Sequence, residues 1–352
     1  MRAEFLIAGG GLAGTTLALE LLERGRSVLV VDDANPAASS RVAAGLINPI
    51  VPKGVRKTWL CDTIFPGIPG YYANWEQKLN AQFYEPMNLL QIHPDERTAR
   101  EWEKRSQENE YAPYLSAGEH ALPAEINAPF GYSMVHGGGR LNVQAFLDSA
   151  KKYLQQHGCI ENDKIDHSQI AIKLDNVWLN NMSFGAIVFC EGIQALHNPW
   201  FNYLHFHPTG GDILTVKAND FQPEENAIWK RKQWLVPDGK GNYLLGSNFH
   251  KGSLQEEPNP ADADKLLSDT HTWFKGKLEL IEHSRGVRPT VEGRRPYLGK
   301  SRENIPAYIF NGLGSKGSSL VTLLSPMMAD YLCHEDPLHP EVDIRRFAQE
   351  GN

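Results

Sequence analysis

Gly9, Gly11 and Gly14 stand at the spacing of a G-x-G-x-x-G turn, with Leu12 and Ala13 between the last two. Glycines at that spacing let backbone N–H groups approach a pyrophosphate, and the start of the helix that follows adds positive potential. Eighteen residues beyond Gly14 come the paired carboxylates Asp32 and Asp33. A carboxylate at that distance accepts hydrogen bonds from the hydroxyls of a ribose, and Asp32 is the one assigned to it. The chemistry expected of these residues is the binding of a dinucleotide.

The elements needed to position them can be read on either side. Phe5 to Ala8 is a short apolar run of strand type. Thr15 to Glu23 carries Leu17, Ala18, Leu21 and Leu22 on one helical face, and Arg24-Gly25 marks its end. Ser27 to Val31 is a β-branched run suited to a strand covered on both faces, which completes a βαβ unit. Far downstream, Ala186 to Cys190 closes in Glu191 and Gly192, and Tyr308 to Phe310 closes in Gly312, Gly314, Ser315, Lys316 and Gly317. Helices are expected over 144–156, with Phe146, Leu147, Ala150 and Leu154 in phase, and over 318–332, where Pro326 should kink or break the turn. Glycine-edged strands so widely spaced imply one nucleotide domain to which the chain repeatedly returns. The triplet by itself does not separate FAD from NAD.

Of the 352 residues, 41% are hydrophobic and 22% charged, which fits a large buried core and, at this length, two lobes. Lys and Arg total 35 against 42 Asp and Glu, a net charge of −7 that gives no global attraction to polyanions. Cys61, Cys159, Cys190 and Cys333 lack metal-ligand spacing, so no metal site and no disulfide framework is expected. The N-terminal residues show no cationic and apolar leader, and no run approaches the roughly 20 apolar residues of a membrane span. A cytoplasmic protein without membrane contact is expected.

At this point the residues resemble the superfamily of D-amino-acid oxidase, glycine oxidase and sarcosine oxidase. The resemblance runs through Gly9 to Asp32, Ala38 to Gly45, Gly139 to Leu141, Val188 to Gly192, Arg285 to Pro289, Arg295 to Gly299 and Gly312 to Gly317. It implies an α/β fold, a Rossmann-type FAD-binding domain interleaved with an α+β substrate lobe on a mainly antiparallel sheet. The FAD domain would comprise 1–50, 137–204 and 285–352, and the substrate lobe 51–136 and 205–284. Ser40, Arg41 and Gly45 join the cofactor-binding positions. Because Ser40-Arg41 offers no flavin-linking histidine and no cysteine sits in a linkage context, the FAD is expected to be non-covalent. Gly286-Val287-Arg288 and Gly312 to Gly317 look more like the oxidase domain of the bifunctional enzyme that trims carboxymethylaminomethyl-uridine in tRNA.

The resemblance implies oxidation of an amine or amino-acid C–N bond by hydride transfer to flavin N5, with oxygen or another electron acceptor reoxidising the flavin. Arg288 matches the position that binds the substrate carboxylate, and Pro289 keeps it extended. Lys316, at a helix start, would lie near flavin N1 and the C2 carbonyl. Trp234 and Tyr243, flanking a hairpin turned by Asp238 to Gly241, are candidates for the pocket wall. Residues 72–81 and 96–108 of the first insertion look helical and carry no assigned chemistry, and His205, His207 and His250 show no acid/base pairing. Two other readings stay open. One is a stand-alone oxidase of the tRNA base, for which Lys53 to Lys57 with Trp59, and Trp229 to Lys232, would supply cations. The other is a flavin subunit of a dehydrogenase complex.

Overall fold

The first strand, Ala3–Ala8, has Leu6 and Ile7 wholly buried, as its unbroken apolar run requires. It lies at the centre of an eight-stranded sheet in a computed structural model that describes residues 3–118, 121–173, 176–223 and 226–347. Val28–Val31 pairs with it in parallel on one side and Met182–Phe189 on the other, so Ala8 stands level with Val31 and with Phe189. Ile160–Glu161 adds beyond Val28–Val31, and Ala307–Asn311 pairs in parallel with Met182–Phe189. The four longer parallel strands thus end together; Val28–Val31 is followed by Asp32 and Asp33, and the other three by the glycine-edged turns read from the sequence.

The helix Leu12–Glu23 and the last helix, Gly317–His334, cross this sheet on the same face. Thr16 Oγ1 and Ser325 Oγ lie 2.7 Å apart, and the Arg24 guanidinium bridges Glu20 and Asp330, each at 2.7 Å. The last helix runs on through Pro326 instead of breaking. Arg24 ties down Asp330 beyond the proline, and Met328 and Ala329 are buried there, so tertiary contacts hold both halves. The helix expected over 144–156 spans Val143–Gln156.

A second, nine-stranded sheet is mainly antiparallel, and all its strands begin within the two segments expected to form the substrate lobe. Its central order is Glu279–Arg288, Thr209–Lys217, Tyr243–Gly246, Trp234–Pro237, Ile228–Lys230, Leu89–Ile92 and Tyr132–Val135. The hairpin forms as expected, with Val236 opposite Leu244 and Pro237 opposite Tyr243. Both helices expected in the first insertion form, and strands accompany them. The insertion has helices at Ile68–Leu79 and Glu96–Ser106, and also gives Leu89–Ile92, Leu115–Ala117 and Tyr132–Val135 to this sheet. The strand Glu279–Arg288 stays in the second sheet past residue 285, so the division into lobes that we propose crosses it there. The segment ends 1–2 and 348–352, and the pairs 119–120, 174–175 and 224–225, lie outside the described residues.

The turn after the first strand depends on Gly14. A Cβ there would fall on the carbonyl oxygen of Gly9, which backbone at both ends prevents from moving. Gly14→Ala should therefore cost about 1–3 kcal/mol or more, read as a fall of several degrees in Tm together with loss of dinucleotide retention on purification. An unchanged Tm with full retention would show that the turn is looser than described.

Candidate functional site

A cleft of about 510 Å³ runs from the glycine turn, across the ends of the parallel strands, to the face of the second sheet. That volume falls in the usual range of small-ligand sites, roughly 300–1,000 Å³. Gly9, Gly11, Leu12 and Ala13 line its first end with Asp32 and Asp33. The Asp32 carboxylate accepts from the amides of Gly10, at 2.8 Å, and Ala34, at 3.1 Å, which fixes it beside the turn. Ser40 also lines the cleft, and its hydroxyl accepts from the Leu12 amide at 3.0 Å. The amides of Gly11 and Ala13 find no acceptor among the described residues. Two unpaired N–H groups at a helix start are what an anionic ligand needs.

Gly45, Glu191 and Gly192 line the middle of the cleft. Both Glu191 oxygens are occupied, one by His167 Nε2 at 2.6 Å and the other by Asn198 Nδ2 at 2.9 Å. The pair with Glu191 raises His167 above its ordinary value. Further on, Gly314, Ser315, Lys316 and Gly317 bring a second helix N-terminus to the cleft. Burial pushes the Lys316 ammonium down to about 8, opposed by the nearby Cys61 thiol and reinforced by Arg294 and Arg295.

On the second sheet, Arg288 and Trp234 face the same space. The Arg288 guanidinium donates to Ser247 Oγ at 3.1 Å and more weakly to the Gly210 carbonyl at 3.5 Å, and it stacks 4.8 Å from the centre of the exposed Phe249 ring. It is in no ion pair among the described residues. Burial holds its pKa below the ordinary arginine value, although Asp212 on the far side of the sheet works the other way. Gly211 makes room for it, because a Cβ there would overlap the guanidinium. Gly210 does the same for Arg285, whose Nη2 would lie 2.9 Å from an added Cβ.

Behind Arg288, on the opposite face, Arg285 donates to the fully buried Asp212 at 2.7 Å and to Asp262 at 3.3 Å. His283 reaches Asp212 at 2.8 Å and His250 reaches Asp262 at 3.1 Å. Asp212, His250 and Asp262 come together as metal ligands do, but the Arg285 guanidinium already supplies the positive charge between the two carboxylates. His250 is thus in a structural network, and His205 pairs with Glu292 at the exposed surface.

Four sequence candidates do not line the cleft. Gly14 and Gly312 act through the backbone, Gly14 under the turn and Gly312 with φ of 81° against Val291. Arg41 turns away to Asp148 on the helix Val143–Gln156. Tyr243 points through the opposite face of its sheet, where its ring packs 5.5 Å from Phe221 and its hydroxyl donates to the Phe221 carbonyl. Trp234 and Tyr243 sit on neighbouring strands at positions of opposite parity, so only one of them can face the cleft. In turn the sequence reading missed Lys230, Ser247 and Phe249 as lining residues. Lys230 was noted only as part of a charge cluster, although its alternation with the buried Trp229 gave its face.

Comparison with known proteins agrees with this geometry. The family profile described as FAD dependent oxidoreductase (DAO) matches residues 4–331. The chain is 23% identical over 351 residues to the tRNA 5-methylaminomethyl-2-thiouridine biosynthesis bifunctional protein MnmC of Idiomarina loihiensis, covering 95% of this chain and 56% of that protein. The chain thus spans about half the length of the first curated relatives it matches. Among solved structures, glycine oxidase from Geobacillus kaustophilus superposes with a TM-score of 0.80 at 17% identity, covering 96% of each chain. Iminodiacetate oxidase from Chelativorans sp. BNC1 gives 0.76 at 18% identity over 96% of this chain and 98% of that one. With a profile match over residues 4–331 and the shared fold, the chain belongs to the DAO family of FAD-dependent oxidoreductases.

Proposed function

We propose that the protein oxidises the C–N bond of a small amine or amino acid whose carboxylate is held by Arg288. The observation that carries this reading is a half-buried guanidinium facing the cleft with one firm hydrogen bond and, among the described residues, no carboxylate partner. Arginine presents a planar fork that matches a carboxylate, and burial strengthens the pairing. The residues present fit FAD: the free amides of Gly11 and Ala13 suit its pyrophosphate, Asp32 its ribose, and Lys316 with the second helix start the pyrimidine edge of the ring. Bound non-covalently, FAD supplies the hydride acceptor.

The protein's own contribution is placement. Arg288 fixes one end of the substrate, and Trp234, buried against the backbone of Gly246, gives a flat apolar surface for the rest. Holding a reacting carbon in one orientation removes most of the entropic cost of the encounter. Lys316 favours negative charge at its end of the cleft. The relatives named as glycine and iminodiacetate oxidases agree with a small carboxylate-bearing amine.

The tRNA-base alternative draws on the likeness to MnmC, but several residues of the clusters that would serve it are engaged within the protein. Lys57 pairs with Asp62 at 2.6 Å and Trp59 donates to Glu341. Trp229 is buried, Arg231 donates to the carbonyls of Thr272 and Pro94, and Lys232 lies 3.6 Å from Asp269. Absence of tRNA binding at low salt, where phosphate contacts are strongest, is the expected result.

Arg288→Ala should raise KM for carboxylate-bearing substrates by an amount worth about 2–5 kcal/mol. Gly211→Ala, which crowds the guanidinium without touching substrate, should shift KM in the same direction by less. Steady-state kinetics with unchanged KM in both variants would remove Arg288 as the anchor.

The buried amines give a pH dependence. Lys230 and Lys316 are each pushed by burial from an ordinary 10.5 down to about 8. Between those values the unfolded chain binds more protons than the folded apoprotein, so stability from these groups rises with pH across that window. The penalty for burying the charged amines is complete below it. The urea midpoint of the wild-type apoprotein minus that of Lys230→Met/Lys316→Met should therefore increase from pH 8 to pH 10. A flat or falling difference would show that neither amine is desolvated.

A further inference from the structure

We propose that the cleft is built for a dianionic substrate, an amino acid or N-substituted amino acid with a second carboxylate that Lys230 receives while Arg288 holds the first. The inference rests on the amine-oxidising reading of the cleft and names its substrate class. It comes from the register of the second sheet. Ile213 stands opposite Gly246, Gly246 opposite Trp234, and Trp234 opposite Lys230. Residues directly opposite in adjoining strands project to one face. The four therefore form a row across the sheet on the side that lines the cleft, and Ile213, Trp234 and Lys230 all line it.

Arg288 enters the same face from the neighbouring strand, with its guanidinium over Gly211, two residues before Ile213. The backbone under the Arg288 guanidinium lies three strand spacings across the sheet, about 14 Å, and two residues along it, about 7 Å, from the backbone of Lys230. The long side chain of Lys230 shortens that gap to the length of a small molecule. The floor between them is apolar, with the Trp234 indole lying over Gly246, where an added Cβ would come within 2.7 Å of the ring.

Among the described residues no carboxylate forms an ion pair with either cation. The hydrogen bond of Lys230 Nζ goes to the Lys232 carbonyl at 3.4 Å. Desolvated charges without partners are costly, and a ligand of opposite charge relieves that cost. Glu256 also lines the cleft; it follows His250–Lys251, which pairs with Thr209 and Gly210 on the same edge as Tyr243–Gly246, and it is in no ion pair among the described residues.

The test uses holoenzyme and reads the perturbation of the flavin absorbance spectrum. Acetate and butyrate are titrated against succinate and glutarate, and anaerobic bleaching is followed with glycine and alanine against aspartate and iminodiacetate. The diacids should bind at least about tenfold tighter than the monoacids. Lys230→Met should reduce that preference about tenfold or more, and Lys230→Arg should largely restore it. Equal binding of mono- and diacids, an equal effect of Lys230→Met on both, or no binding of either would overturn the proposal. Monoacid binding that depends on Arg288 but shows no diacid preference would overturn this inference while leaving the amine-oxidising reading in place. Bleaching by no amine of either class would instead remove that reading.

Discussion

The close packing of Gly14 on the Gly9 carbonyl decides where the first helix begins. With no Cβ between them, Leu12–Glu23 starts directly above the end of the first strand, and its opening amides point over the strand ends. Asp32 then binds the Gly10 amide, and Ser40 supports the Leu12 amide, so the turn is fixed from both sides. The parallel register brings Val31 and Phe189 level with Ala8, and the second and later glycine turns reach the same cleft as a result. A bulkier residue at 14 would disturb all of these together.

The second sheet meets that frame with a comparable device. Gly210 and Gly211 leave room for Arg285 on one face and Arg288 on the other. Arg285 is locked by the buried Asp212 and by Asp262. Buried ion pairs of this kind add little net stability, but removing one partner is expensive, about 3–5 kcal/mol. Their value here is register, since Asp212 opposite Arg285 sets where Arg288 emerges on the cleft side. The anchor for the substrate thus depends on charges that never touch it.

Much of the nucleotide half was legible in the sequence, because glycine turns, apolar strands and a helical stripe are local signals. Gly9, Gly11, Asp32 and the turn at Gly314 to Gly317 lie where those signals place them. The second sheet was harder to read. The strand Glu279–Arg288 begins with four exposed residues and carries charges throughout, which hides its alternation. The strands at Leu89–Ile92 and Tyr132–Val135 are only four residues each. Tyr243 and Trp234 looked equivalent until the hairpin register assigned them to opposite faces. Arg41 was placed by motif, and its side chain follows the nearest carboxylate, Asp148. Lys230 is visible as a charge but not as a lining residue, since its role depends on the register of a row of residues across four successive strands.

We propose that one continuous cleft holds FAD along the first helix start and presents its ring to Arg288. A crystal structure of the holoenzyme with a bound carboxylate tests it most directly. The account predicts the pyrophosphate within hydrogen-bond distance of the Gly11 and Ala13 amides, the ring beside Lys316, and the carboxylate on Arg288 Nη1 and Nη2. A pyrophosphate away from the Gly9 to Gly14 turn, or a carboxylate bound with Arg288 uninvolved, would contradict it.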